Sequence, residues 1–161
     1  MNNPNLRRAI RGPLLALALV GALAGTALAT SAVDFSSTPL AKGTTAGSVQ
    51  FNTGAIKFQT KGAAVFNTVM ITVKPGGTSG WHTHPGVVLV TVKEGEITFY
   101  DQTCVFIRHP AGSSFVEADG DGPGLAHNEG SIDAIVYATF VAEAGTSAFR
   151  LDAANPGCSQ N

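Results

Sequence analysis

Alternating apolar and polar residues predict β-strands along most of the chain after residue 48. In the segment NTVMITVKP, Val69, Ile71 and Val73 alternate with residues that point to the opposite face, which is the two-residue period of a strand. The segment SIDAIVYATFVAEAG repeats this period from Ile132 to Phe140. Short strands that are separated by Gly and Pro favour an all-β sandwich or a small barrel.

Two further segments predict pairs of strands that are joined by turns. VVLVTVKEGEITFYD contains two β-rich runs around Gly95, and we interpret it as a hairpin with glycine at the turn. CVFIRHPAGSSFVEA contains a short strand, a turn at Pro110-Ala111-Gly112, and a second strand. Residues 30–48 are rich in Ser, Thr, Ala and Gly, and we expect them to be an extended lead-in to the fold.

The first 29 residues have the pattern of a secretory signal peptide. Arg7, Arg8 and Arg11 precede an almost wholly apolar run from Leu14 to Leu28, and Ala27-Leu28-Ala29 fits a signal peptidase. The alternative is a membrane anchor, but the run is short and rich in Gly and Ala. We therefore expect cleavage after Ala29 and a secreted or periplasmic protein.

The remaining 132 residues are enough for one domain, and their charge limits the partners. Removing the three arginines of the signal peptide leaves seven basic residues against eleven acidic ones, a formal charge of −4. We expect no binding to nucleic acid and no membrane span after cleavage. Because an exported chain folds under oxidising conditions, Cys104 and Cys158 are expected to form a disulfide, with two free buried thiols as the alternative.

Two of the four histidines lie one residue apart in the segment GWHTHPG. On a strand, His82 and His84 would point to the same face, where two imidazoles could converge on one divalent metal ion such as Zn, Mn, Fe, Ni or Cu. The alternatives are a metal-free hydrogen-bonding pair and two exposed polar residues. We expect Trp81, on the opposite face, to pack in the core, and His109, beside Pro110, to lie at the surface.

The spacing around this pair resembles the first motif of the cupin superfamily. Gly76, five further residues, His82-Thr83-His84 and Gly95 match that motif, and Pro110-Ala111-Gly112 matches the second. The resemblance covers residues 49–145 and is to small, single-domain, exported bacterial cupins of type 2. It implies a double-stranded β-helix (a jelly-roll barrel) that commonly holds a metal. Residues 146–161 would then be a C-terminal tail that the disulfide ties to the barrel.

The chain departs from the cupin pattern at two ligand positions. Where the first motif has Glu, four residues after the second histidine, this chain has Val88. Where the second motif has His, three residues after Pro-x-Gly, it has Phe115. We expect both residues to line the apolar interior of the barrel.

A third metal ligand has to come from elsewhere, and His127 is the candidate. By simple alternation its ring faces away from the site, so a bulge near Gly124 would be needed to turn it inward. Asp119 and Asp121 lie on a nearby Gly-rich loop and could contribute oxygen atoms.

Two functions from different classes remain open. The first is an exported cupin that binds a divalent transition metal through its His-x-His pair, with an unknown reaction. The second is a non-catalytic small-molecule-binding or structural cupin with a degenerate metal site. No Ser-His-Asp spacing, reactive cysteine or carboxylate pair indicates a general base, so whether the chain is an enzyme is left open, as is a homodimer.

Overall fold

This computed structural model describes residues 29–118 and 120–160. These residues contain twelve β-strands and no helix. The predicted signal peptide lies outside them except for Ala29. The strands are β1 Val33–Thr44, β2 Gln50–Asn52, β3 Lys57–Gln59, β4 Ala64–Thr78, β5 His82–Thr83, β6 Gly86–Glu94, β7 Glu96–Tyr100, β8 Phe106–Pro110, β9 Ser114–Ala118, β10 Leu125–His127, β11 Ala134–Glu143 and β12 Leu151–Asp152. A search of these residues finds no helix that is long and apolar enough to cross a membrane.

Eight strands form one antiparallel sheet that folds over into a nearly closed barrel. The strand order is β8-β7-β10-β4-β11-β6-β9, and β1 pairs with β4 beside this path. Many neighbours in this order are far apart in sequence, as in a jelly roll, where successive strands alternate between two layers. The structure therefore confirms the predicted all-β fold, the double-stranded β-helix.

The predicted hairpin at Gly95 is wrong, because β6 and β7 do not pair with each other. β6 pairs with β9 and β11, whereas β7 pairs with β8 and β10. Gly95 has a φ of 70°, and a Cβ there would lie 2.7 Å from the carbonyl oxygen of Asp133. Glycine thus permits a sharp corner between the two layers. The amide of Ala111 donates to the carbonyl of Gly95 over 2.9 Å, so residues 86–118 form one long hairpin that is folded over at this point.

The predicted lead-in, residues 30–48, is extended but belongs to the barrel. β1 pairs with β4 from Thr44 opposite Val65 to Val33 opposite Thr78. Conversely, residues 50–59 lie within the predicted barrel, residues 49–145, but form a separate two-stranded sheet of β2 and β3. The sequence hid the role of β1 because almost all of its side chains are exposed, and backbone hydrogen bonds to β4 need no apolar pattern.

The core follows the two-residue period of three long strands. Its main cluster of buried side chains includes Val69, Ile71, Val73, Val88, Val90, Val92, Ile97, Ala134, Val136 and Ala138. The predicted inward face of β11 is therefore correct from Ala134 onwards, whereas Ile132 is 56% exposed. A second cluster contains Trp81, which is fully buried as predicted, with Tyr100, Leu125 and Cys158.

The C-terminal tail crosses the end of the barrel that carries the histidine pair. The Cys104–Cys158 disulfide is formed, as the sequence predicted. β12 pairs with β5, placing Asp152 opposite His82. The Trp81 indole donates to the carbonyl oxygen of Gln160 over 3.0 Å. We call residues 146–160 the strap, because they are held at both ends across the site.

Candidate metal centre

The rings of His82 and His84 face the barrel interior together and meet a carboxylate, Glu117. The nitrogen and oxygen atoms that these three side chains offer to a metal all lie within 4.8 Å of one another. The Glu117 Oε2 atom is 3.2 Å from Nε2 of His84 and 3.7 Å from Nε2 of His82. Both histidines are buried, at 6% and 8% exposure. This is the side-by-side arrangement that the His-x-His spacing predicted.

Backbone carbonyls determine which ring nitrogen of each histidine carries a proton. The Nδ1 atom of His82 is 2.8 Å from the carbonyl oxygen of Gly80, and the Nδ1 atom of His84 is 2.6 Å from that of Phe149. Because a carbonyl oxygen can only accept, each Nδ1 must donate. Histidines that bind metals are commonly held in this way. Both Nε2 atoms can therefore offer a lone pair towards Glu117.

The electrostatics of this group favour a cation between its members. Burial lowers the pKa of His82 to about 4, against the opposing effect of the Glu117 carboxylate. The ring of His82 is therefore neutral near pH 7. A lone pair on a neutral ring that faces a carboxylate oxygen is unfavourable unless a positive charge lies between them. Two imidazole nitrogens and one carboxylate oxygen are a donor set that suits divalent transition metals.

Glu117 was missed by the sequence reasoning, although strand parity could have found it. It lies two residues after Phe115, the position where the second motif has its histidine, and so shares a face of β9 with that residue. In the pairing of β6 with β9, Glu117 lies directly opposite Val88, where the first motif has its glutamate. The carboxylate is therefore present at the expected place in space, but on the adjacent strand.

The structure does not bring His127 to this group. β10 pairs with β7 in regular register, so the bulge that would turn this ring inward is not formed. Ala126 lines the barrel cavity, and the side chain of His127 therefore points away from it. Its Nδ1 atom lies 3.8 Å from a carboxylate oxygen of Glu129.

A cavity of about 370 Å³ extends from the three side chains into the barrel, and Val88 and Phe115 both line it, as predicted. Most of its other lining residues are aliphatic or aromatic. His109 is not a simple surface residue, because its half-buried ring stacks on Phe115 with centroids 4.1 Å apart. The cavity is large enough for a small molecule.

A second, smaller pocket of about 50 Å³ reaches the same three side chains and is lined by more polar residues. Asp101 and Asp121 lie there, while Asp119, the other loop acid, is outside the described residues. The carboxylate of Asp101 accepts hydrogen bonds from the backbone and hydroxyl groups of Thr103, so it already has a structural role.

Comparisons with solved structures find double-stranded β-helix proteins and cupins. An uncharacterized conserved protein with a double-stranded β-helix domain from Klebsiella pneumoniae has 22% identity and a TM-score of 0.48, over 55% of this chain and 74% of its own. The cupin domain of an XRE family transcriptional regulator from Enterobacter cloacae has 16% identity and a TM-score of 0.45, over 68% and 97%. A predicted oxalate decarboxylase from Thermotoga maritima has 20% identity and a TM-score of 0.41, over 51% and 82%.

A scan of protein-family models found no match to the chain, and a search of curated proteins found none either. The three solved neighbours named above have between 16% and 22% sequence identity to this chain. Their identities and TM-scores are low, so the fold assignment rests on the strand order itself.

Proposed function

We propose that this protein binds one divalent transition metal ion and uses it to hold a small, largely apolar molecule inside the barrel. The ligands are Nε2 of His82, Nε2 of His84 and the carboxylate of Glu117. One observation carries the proposal: two backbone carbonyls fix both histidines in the tautomer that presents Nε2 to a carboxylate. Three protein ligands leave coordination positions open for a bound molecule.

The chemistry of the donor set narrows the class of metal site. Two histidines and one carboxylate with open positions are typical of non-haem iron sites, and they also suit zinc and manganese. A bound ion would supply Lewis acidity or a position for dioxygen. The carbonyls of Gly80 and Phe149 orient the two histidine ligands. The aliphatic and aromatic side chains of the lining make most of the cavity apolar.

The second candidate is a barrel that binds a small molecule without a metal. The largely apolar cavity favours this candidate. The described lining residues include no titratable side chain that could act as a general base, other than Glu117, the two histidines and Arg150. This alternative predicts ligand binding that does not depend on metal or on Glu117.

Elemental analysis and metal titration of the untagged protein distinguish these two functions. We expect one ion per chain among Zn, Mn, Fe, Ni and Cu in the wild type. His82→Ala, His84→Ala and Glu117→Gln should each lose stoichiometric metal, while the control variants His127→Ala and His109→Ala keep it. Folded wild type without bound metal, or Glu117→Gln with unchanged affinity, would contradict the proposal.

We also propose that the mature chain acts outside the cytoplasm. The basic and apolar pattern of residues 1–29 supports export, and the Cys104–Cys158 disulfide is typical of an oxidising compartment. N-terminal sequencing of the exported protein should give a start at or near Thr30. A secreted product that still begins at Met1 would be evidence against cleavage.

A further inference from the structure

The cavity wall contains one basic side chain that the metal site does not use. Arg150, on the strap, is the only Lys or Arg among the described residues that line the cavity. Its side chain is 28% exposed, and burial lowers its pKa from the ordinary value. A guanidinium nevertheless remains charged under all conditions in which a protein is folded.

The strap holds this cation beside the metal ligands. The Nη2 group of Arg150 donates to the carbonyl oxygen of Ser79 over 2.5 Å, and the hydroxyl of Ser79 is 3.3 Å from Nδ1 of His82. The preceding residue, Phe149, provides the carbonyl that orients His84. Arg150 therefore lies at the end of the cavity where the three ligands meet.

The hydrogen-bonding capacity of Arg150 is not filled by the residues that the structure describes. Nη1 is paired with Asp152, an outward carboxylate that is 51% exposed, while Nε is buried without an acceptor among the described residues. A guanidinium has five N–H donors. A divalent ion held by the single carboxylate of Glu117 would leave one net positive charge at this end, in addition to the Arg150–Asp152 ion pair. Buried positive charge is costly unless an anion accompanies it.

We propose that the cavity binds a small amphiphilic monocarboxylate. Its apolar body lies among the valine and phenylalanine side chains of the barrel, and its carboxylate lies between Arg150 and the metal position. Guanidinium and carboxylate groups form strong, charge-assisted hydrogen bonds of defined geometry. The metal contact rests on the function proposed above, whereas the contact with Arg150 does not, so the two can be tested separately.

The test compares two probes with the same eight-carbon chain, octanoate and 1-octanol, by calorimetric titration of metal-loaded and metal-free protein. We expect octanoate to bind wild type at least about tenfold more tightly in both forms, since a hydrogen bond to a charged group is worth about this factor. Arg150→Gln should remove the preference for octanoate and leave the affinity for 1-octanol within about twofold of its wild-type value. Arg150→Lys should retain part of it, and Arg108→Gln, which changes an exposed arginine on β8, should retain all of it.

Each outcome bears on the proposal. Equal binding of the two probes by wild type would overturn it without any variant. Equal weakening of both probes in Arg150→Gln, together with a lower melting temperature, would assign Arg150 to holding the strap and would also overturn it. A wild type that takes up no metal in titration and still prefers octanoate would refute the metal site and support the role of Arg150.

Discussion

At the scale of single residues, the site depends on groups that never touch the proposed metal. The carbonyl of Phe149 orients His84, and the carbonyl of Gly80 does the same for His82. Losing such a partner typically weakens metal binding by about 10- to 100-fold. These partners belong to the backbone, so their effect has to be tested through the elements that carry them.

The position of the carboxylate provides a test at the same scale. Because Val88 and Glu117 are cross-strand partners, a glutamate at residue 88 should reach the same ion. We expect Glu117→Val to abolish metal binding and the double variant Val88→Glu/Glu117→Val to regain it in part, as measured by metal titration. Val116→Glu/Glu117→Val is the control, because Val116 is exposed on the outer face of β9. Rescue by both double variants would argue against a geometric requirement.

Glu129 has a structural role that pH can reveal. The hydroxyl of Tyr100, the hydroxyl of Thr98 and the guanidinium of Arg108 all donate to its carboxylate, and the hydrogen bond from Tyr100 is the largest cause of its lowered pKa. A carboxyl whose pKa is lower in the folded state stabilises the protein above the unfolded value, 4.5, and this contribution is lost as the pH falls through the folded value.

We therefore expect Glu129→Gln to lower the free energy of unfolding by about 1 kcal/mol at neutral pH. The difference from wild type should shrink as the pH drops below the ordinary range of a glutamate. Urea unfolding at several pH values measures it. A difference that is constant with pH would mean that the charge of Glu129 does not contribute.

At the scale of elements, the strap connects the disulfide to the proposed metal ligands. Cys158 fixes one end of the strap to Cys104, 54 residues earlier, and β12 fixes its middle to the strand that carries His82. Phe149 lies on the strap between the end of β11 and the start of β12, and its carbonyl orients His84. Metal affinity should therefore depend on a covalent bond that is not part of the site.

Cys104→Ser/Cys158→Ser tests this connection. We expect metal affinity to fall about tenfold, because His84 loses part of its orientation. The free energy of unfolding should fall by up to about 4 kcal/mol for a loop of this length. Metal titration and chemical unfolding measure the two effects. A strap that becomes sensitive to protease while metal affinity stays unchanged would show that the strap does not position His84.

The corner at Gly95 is a second prediction about an element. Gly95→Ala would force a side chain into a backbone with φ of 70° and against the carbonyl of Asp133. Gly112→Ala is the matched control, since its φ is 86° but a Cβ would meet nothing within 4 Å. We expect a cost of about 1–3 kcal/mol for strained backbone alone at Gly112 and a larger one at Gly95, by urea unfolding. Equal costs would mean that contact with Asp133 does not matter.

At the scale of the whole molecule, the barrel encloses a cavity that larger side chains on its inner face would fill. Ala138 lies at 1% exposure on the inner face of β11 and lines the cavity. Ala138→Phe should occupy this space, and we expect octanoate binding to be lost while metal binding remains. Calorimetric titration of both measures this, with Tyr137→Phe on the outer face of the same strand as the control. Retained octanoate affinity would place the ligand elsewhere.

The sequence alone determined features that depend on neighbours along the chain. The two-residue period of β4 and β11 identified their buried faces, and the same period placed His82 and His84 on one face. With only two cysteines in the sequence, the disulfide had one possible pairing. Each of these three features follows from local geometry or from counting, and none of them requires knowledge of which strands pair.

Only the tertiary structure decided which distant residues complete the site. Glu117 is 33 residues from His84 and meets it through the register of β6 with β9, and Phe149 meets it across 65 residues through the strap. The same limit explains the errors at Gly95 and in β1. A glycine has the same freedom at a corner as at a hairpin turn, and a polar strand joins a sheet through its backbone. Alternation shows which way a side chain points on its own strand, but the identity of its neighbours is fixed by strand pairing.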